Sequence, residues 1–218
     1  MPVLTIASSK GGPGKTTICQ VLAAALASEL RVVALDADPT QALSRWASNT
    51  YEGAPFEVIA EPDETRLAHL IAAKAETCDL VLVDTAGFGN RAATVAMTSA
   101  DAVLIPSLSG EADVTEAEKT VRLVEGLARA ARRDIPARVL LNRVKRTTLA
   151  RHAAAEIKSA GLQSLTAALS DLVAYGEMTY SGRLPPAGQS AIEIAALIAE
   201  LRGLGWLPEP ALQHHVGA

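Results

Sequence analysis

The stretch Lys10-Gly11-Gly12-Pro13-Gly14-Lys15-Thr16-Thr17 follows a short apolar run, Val3 to Ala7, and leads into helix-forming residues from Ile18 to Leu26. Glycines at this density let a backbone curl until successive N–H groups point at one anion, and a helix starting just beyond adds the positive end of its dipole. Lys15 brings a full charge, and the Thr16 hydroxyl is the hard oxygen that Mg²⁺ takes beside phosphate. Gly11, Gly12, Gly14 and Thr17 complete the cradle. The chemistry these residue types offer is binding of a nucleoside triphosphate. Pro13 removes one N–H, which either weakens that binding or falls where the N–H has no use.

Other residues add to this chemistry. Lys10 stands five residues before Lys15, at the mouth of the loop, where its side chain reaches toward phosphates held by another copy; a dimer is expected. Ser9 occupies a position where the strict phosphate-loop pattern has glycine. Leu80-Val81-Leu82-Val83-Asp84 is an apolar strand ending in a carboxylate, the usual placement of an acid near a phosphate-bound Mg²⁺. Thr85-Ala86-Gly87-Phe88-Gly89 then reads as a switch able to sense the terminal phosphate. Val33-Ala34-Leu35-Asp36-Ala37-Asp38-Pro39 sets two carboxylates beyond a second buried strand, and a carboxylate near Mg²⁺ and lysines stays ionised and accepts a hydrogen bond from water. Arg138-Val139-Leu140-Leu141-Asn142-Arg143 ends a further strand in an amide that donates and accepts together, as discrimination of an adenine edge requires.

These residues need a scaffold that brings strand ends together. Apolar runs at Val3–Ala7, Arg31–Leu35, Phe56–Ala60, Leu80–Val83, Ala102–Ile105, Arg138–Leu141 and Ser164–Leu169 alternate with helical patterns at Thr16–Ser28, Thr65–Ala75, Ala92–Ala100, Thr115–Arg132, Leu149–Ala160 and Ile192–Arg202. Strand-helix alternation with strands apolar throughout predicts one doubly wound, mostly parallel α/β sheet with helices on both faces. Ligands of such sheets bind beyond the carboxyl ends of the strands, where every candidate residue falls. A single domain is expected over 1–205, followed by a non-periodic tail, 206–218, that frays.

With these motifs in view the chain resembles the ParA/MinD family of deviant Walker ATPases, whose signature is a KGGxGKT loop with an additional lysine. The likeness in order of motifs runs from Val3 to about Leu201. It implies a phosphate-loop ATPase of the deviant Walker A type, with ATP and Mg²⁺ as cofactors. By resemblance, Asp38 of the DxDP motif orients and activates the attacking water, and Asp36 supports the lysines and the metal shell. Thr16, Asp36 and Asp84 then serve the metal, Lys10 acts from the facing subunit, and Asn142 with Arg143 form the base site. No aspartate follows in the manner of GTPases, so ATP is favoured. The resemblance further implies an ATP-driven sandwich dimer, slow Mg-dependent hydrolysis, a small adaptor protein that stimulates it, and positioning of plasmid, chromosome or protein cargo. The first strand begins almost at Met1, as in the small type without an N-terminal DNA-reading extension, so operator-specific binding is not expected.

Charge is uneven. The chain carries a formal net charge of −4, yet Arg129, Arg132, Arg133, Arg138, Arg143, Lys145, Arg146, Arg151 and Lys158 face only Asp134 and Glu156 between 129 and 158. Lys145, Arg146 and Arg151 are the candidate contacts to DNA phosphates, which would give non-specific, salt-sensitive binding; a solvated helix face accounts for the same charges. Aromatic residues at 3% argue against stacking on single strands. The absence of a signal segment and of a membrane-length apolar run places the protein in the cytoplasm, nucleoid-associated when ATP-bound. Cys19 and Cys78 are expected to be inert. A MinD-like membrane anchor is disfavoured, since Ile192 to Leu207 holds only one base, Arg202, against Glu193 and Glu200. Neither cysteine suits the cluster of the nitrogenase iron-protein branch. Transfer-DNA or secretion machinery as cargo, and a nucleotide-binding module with little hydrolysis, remain open alternatives.

Overall fold

The structure is a computed structural model that describes residues 2–87, 89–145 and 148–210, the side chains of 148–150 excepted. Seven strands, β1 (Val3–Ile6), β2 (Val32–Asp36), β3 (Glu57–Ala60), β4 (Leu80–Asp84), β5 (Ala102–Ser107), β6 (Ala137–Val144) and β7 (Ser164–Ser170), form one sheet. Its order is β3-β2-β4-β1-β5-β6-β7, and every pairing is parallel. Eight helices intervene: α1 (Lys15–Leu26), α2 (Ala42–Asn49), α3 (Glu64–Thr77), α4 (Arg91–Ser99), α5 (Glu111–Ala131), α6 (Thr148–Ser159), α7 (Val173–Ser181) and α8 (Gly188–Gly203).

Side-chain parity along the strands divides the core. Leu4, Ile6, Val32, Ala34, Leu80, Leu82, Leu104 and Leu140 face one side, where α1, α2, α7 and α8 cover them. Val3, Val33, Leu35, Val81 and Val83 face the other side beneath α3 and α4, and Val103, Ile105 and Val139 face it beneath α5 and α6. Strands covered twice have no reason to alternate apolar with polar residues, and β1, β2 and β4 are fully buried.

The chain leaves β1 toward β2 but leaves neighbouring β5 toward β6 on the opposite side, which opens a crevice at the carboxyl ends of the strands beside β1. The expected domain end at 205 falls short of the packing. Trp206 and Leu207 are buried in the main core, since a turn after α8, with the Trp206 amide on the Leu201 carbonyl, folds them back. The packed unit therefore continues through Leu207, and residues 211–218 of the expected tail lie outside the described ones.

The sequence pattern misses α2 and α7. The third residue of α2 is capped by a carboxylate from an earlier strand, with Ser44 N donating to Asp36 Oδ2 at 2.8 Å, and this leaves no local capping signature. Only Tyr175 and Met178 are buried in α7, too few for a readable period.

Candidate active site

The phosphate loop joins β1 to α1. Gly12 and Gly14 sit at φ 97° and 95°, a region that residues with a Cβ rarely adopt. Gly14 is the N-cap of α1 and brings no side-chain cap, so the first-turn amides of this helix face outward with no partner of that kind. Lys15 is buried, and its ammonium donates to the Lys10 carbonyl at 3.1 Å across the loop. Burial lowers its pKa, while the charges of Asp84 and Asp38 act in the opposite direction.

Asp36 and Asp84 are register partners on the neighbouring strands β2 and β4, both wholly buried. Their surroundings differ. Asp36 accepts from Ser44 N and from Asp38 N at 3.3 Å, so it braces the loop carrying Asp38 and starts α2. Burial raises its pKa against those hydrogen bonds. Among the described residues, no well-formed hydrogen bond reaches either oxygen of Asp84. Burial pushes its pKa up to about 7, although the nearby Thr16 hydroxyl and Lys15 favour the ionised form. A buried carboxylate with no well-formed hydrogen bond, next to a threonine hydroxyl, fits the coordination sphere of a phosphate-bound Mg²⁺. Among the described residues no group of three His, Cys, Asp or Glu side chains could cage a metal. A Mg²⁺ that takes most of its ligands from phosphates and water needs no such group.

A cavity of about 540 Å³ lies over these residues. It is lined by Gly11, Gly12, Gly14, Lys15, Thr16, Thr17, Asp38, Asn142 and Arg143, all of which the sequence singles out. Gly87 of the expected switch also lines it, and a Cβ there would stand 3.5 Å from Gly11 N, so the two loops touch. Phe88 lies outside the described residues. Asp38 Oδ1 accepts from Thr40 N at 2.8 Å, which orients the carboxylate.

The structure gives the surroundings of the other candidates. Asn142 lies inside β6, not beyond its end, and is buried. Its Nδ2 donates to the Pro13 carbonyl at 2.7 Å and its Oδ1 accepts from Arg143 N at 2.9 Å, so both halves of the amide expected to read adenine are engaged by backbone. Pro13 is thus held by its carbonyl. Lys10 pairs with Asp113 Oδ1 of α5 in the same chain at 2.9 Å, and that hydrogen bond raises its pKa. Of the basic candidates, Lys145 lies 3.7 Å from Asp171, Arg151 is exposed on α6, Arg146 is outside the described residues, and Arg143 lines the cavity.

Residues unmarked by motif complete the site. Ser9 N donates to Thr120 Oγ1 at 3.0 Å, and Ser9 Oγ donates to the Glu116 carbonyl and carboxylate, tying the loop entrance to α5; this is the use of serine where the strict pattern has glycine. Ser170, Asp171, Leu172, Tyr175, Thr179 and Tyr180 also line the cavity.

The family model for the VirC1 protein matches residues 1–196. The chain belongs to the VirC1 family. This VirC1-family chain is 36% identical over 150 residues to Protein virC1 of Rhizobium rhizogenes, an alignment covering 66% of the chain and 65% of that relative, just under two thirds of its length. It is 29% identical over 197 residues to Maintenance of carboxysome distribution protein A of Halothiobacillus neapolitanus, covering 87% and 91%. Among solved structures, an ATP complex of Cyanothece McdA matches with a TM-score of 0.80 at 18% identity, covering 97% of the chain and 98% of McdA. That likeness is one of fold. The VirC1-family chain is similar to ParA/MinD proteins in its loop and carboxylate motifs, and its sheet has the fold of their solved structures. Among the described residues no helix is long and apolar enough to cross a membrane.

Proposed function

We propose that this chain binds Mg-ATP in the 540 Å³ cavity, closes on it as a face-to-face dimer, and hydrolyses it slowly until a partner protein accelerates the step. The observation that carries this reading is that an uncapped α1, a buried Lys15 and Thr16 meet at one cavity, with Asp84 buried next to Thr16 and Lys15. Loop amides and the Lys15 ammonium take the phosphate charge, with Lys15 exchanging the Lys10 carbonyl for a phosphate oxygen. Thr16 and Asp84 hold Mg²⁺, with Asp36 behind them. When bound, the ion neutralises charge on the transferring phosphoryl group. Asp38 accepts a hydrogen bond from the attacking water and keeps it in line. Lys10 leaves Asp113 and reaches the partner's nucleotide, so ATP binding and dimerisation are one event.

Phosphoryl transfer to water then acts as a timer that opens the dimer. Arg151 with Lys145 and Arg146 supplies non-specific contact to DNA phosphates, and the cargo positioned is DNA or protein; the named relatives include one concerned with carboxysome distribution. Sedimentation with a non-hydrolysable ATP analogue, with and without duplex DNA, tests the cycle. The expected result is an analogue-dependent dimer that Lys10→Ala abolishes while monomer binding persists, and that retains DNA at low salt only. A dimer unchanged in Lys10→Ala removes the trans role, and retention of DNA by a Lys145→Glu, Arg146→Glu, Arg151→Glu variant removes that surface.

A further inference from the structure

The cavity that the phosphate loop lines is also lined by Ser170, the last residue of β7, and by Tyr175 in α7. Both are held by one carboxylate, Glu193 of α8, only 8% exposed. Its Oε2 accepts from Ser170 N at 2.9 Å and from the Tyr175 hydroxyl at 3.0 Å. Its Oε1 accepts from Ser170 Oγ at 2.6 Å and from Gln189 Nε2 at 3.0 Å. No residue of α8 lines the cavity itself.

This arrangement substitutes for features the wall lacks. No side chain caps α7 at its start, so its first turn takes its place from the buried Tyr175 and Met178 and from the grip on Tyr175. The strand beneath is irregular, with register shifts in its pairing to β6. With a triphosphate on the loop amides, the lining left for its ribose and base includes Ser170 and Tyr175. Asn142 is already engaged by Pro13.

We infer that Glu193 is the positioning residue of the nucleoside end: it sets Ser170 and Tyr175 as the wall on which ribose and base pack, and so sets affinity for the nucleoside without touching phosphate. This rests on the nucleotide reading proposed above. Glu200, two helical turns further along α8, offers an internal contrast. It accepts from Thr166 N at 2.7 Å and Ala167 N at 2.6 Å, docking the same helix on the same strand away from the cavity.

The test is calorimetric titration of the full chain and its variants with Mg-ATP and, separately, with Mg-tripolyphosphate, which has the charge but no nucleoside. Glu193→Ala is expected to weaken ATP by about tenfold while tripolyphosphate changes by less than about twofold. Glu193→Gln, which still accepts from Ser170 N and Tyr175, restores most of the loss. Glu200→Ala lowers the melting temperature and leaves the ratio of the two affinities unchanged. Equal weakening of both ligands by Glu193→Ala, with wild-type binding intact, overturns the positioning role alone. Should Glu193→Ala fail to fold, Tyr175→Phe carries the test, and an unchanged affinity ratio there overturns the role equally. A wild-type chain that binds neither ligand brings down the nucleotide reading and this inference with it.

Discussion

The two ends of the cavity are built on opposite rules. At the phosphate end the groups are contiguous in sequence or sit at the ends of adjacent strands, and part of their capacity is left open: α1 has no side-chain cap and no well-formed hydrogen bond reaches Asp84 among the described residues, while Lys15, Asp36 and Asp38 are held by backbone groups. At the nucleoside end the polar side chains are satisfied internally by residues distant in sequence. Asn142 bonds Pro13 across 129 positions, Ser170 bonds Glu193 across 23, and Tyr175 bonds Glu193 across 18. The α1 amides and Asp84 keep capacity for a ligand, whereas Asn142, Ser170 and Tyr175 are engaged by other residues, which rigidifies them.

Substitution of Lys15 or Asp38 is therefore expected to spare the fold and fail functionally. Lys15→Ala is expected to lower affinity for Mg-ATP and Mg-tripolyphosphate together by on the order of 10³-fold, because a charge-assisted contact in a partly desolvated site is lost for both. Calorimetry on both ligands checks this, and a loss confined to ATP would show that the two ends are not separable. Asp38→Ala is expected to reduce steady-state phosphate release by on the order of 10²-fold with ATP affinity unchanged, the signature of a group that acts on water alone. Turnover at the wild-type rate would move the water-orienting role to another side chain.

The same contrast explains what sequence makes legible. Strands β1, β2, β4 and β5 can be read because burial on both faces makes them apolar, and the loop, Asp36, Asp38 and Asp84 can be read because each ends or follows such a strand. Asn142 is visible as a residue but not in its role, since nothing local says that its amide grips Pro13. Helix α2 escapes because its cap, Asp36, arrives from a previous element; α7 escapes because the carboxylate that secures it lies on the helix after it. Glu193 reads from sequence as one acid on an apolar helix, and only the fold places it against Ser170 and Tyr175. The Lys10 pairing depends on α5 passing beneath the loop, a consequence of the β5 crossover.

Where Gly14 of the phosphate loop meets Asn142 of β6, stability should respond first. A Cβ on Gly14 would stand 2.3 Å from Asn142 Nδ2, at a φ of 95°. Gly14→Ala is expected to break the bond to Pro13 and destabilise the fold by about 2 kcal/mol, a drop in melting temperature of about 4–8 °C for a chain of this size. Asn142→Ala should share that deficit, and the double variant should fall short of the sum because both act on one contact. Full additivity would separate the loop from β6. Glu193 adds a pH dependence. Burial works to raise its pKa, but the hydrogen bonds from Ser170, Gln189 and Tyr175 outweigh it and hold the carboxyl below its ordinary value of 4.5. A folded-state pKa below the unfolded one gives stability that is present above 4.5 and lost as pH falls through the folded value. The melting-temperature gap between wild type and Glu193→Gln should therefore narrow on acidification below 4.5; a constant gap would mean that the ionised form contributes nothing.

The smallest expected effect lies where the two rules meet. Lys10 belongs to the phosphate end by motif, yet it is satisfied internally, by Asp113 of α5. Half of its side chain remains exposed, at 49%, so the pair is screened and holds the lysine only lightly. If Lys10 acts on a facing nucleotide, this contact must break as the dimer closes, and it opposes closure by whatever the pair is worth. Asp113→Asn should then raise the ATP-dependent dimerisation constant by a few-fold at low salt, with the gain vanishing at high salt as the pair is screened in wild type. Its thermal stability should stay near that of wild type. Sedimentation equilibrium at two salt concentrations decides the matter: a gain that survives high salt points to a change in the dimer face, and no gain at either shows that Lys10 keeps its own chain's aspartate when the dimer forms.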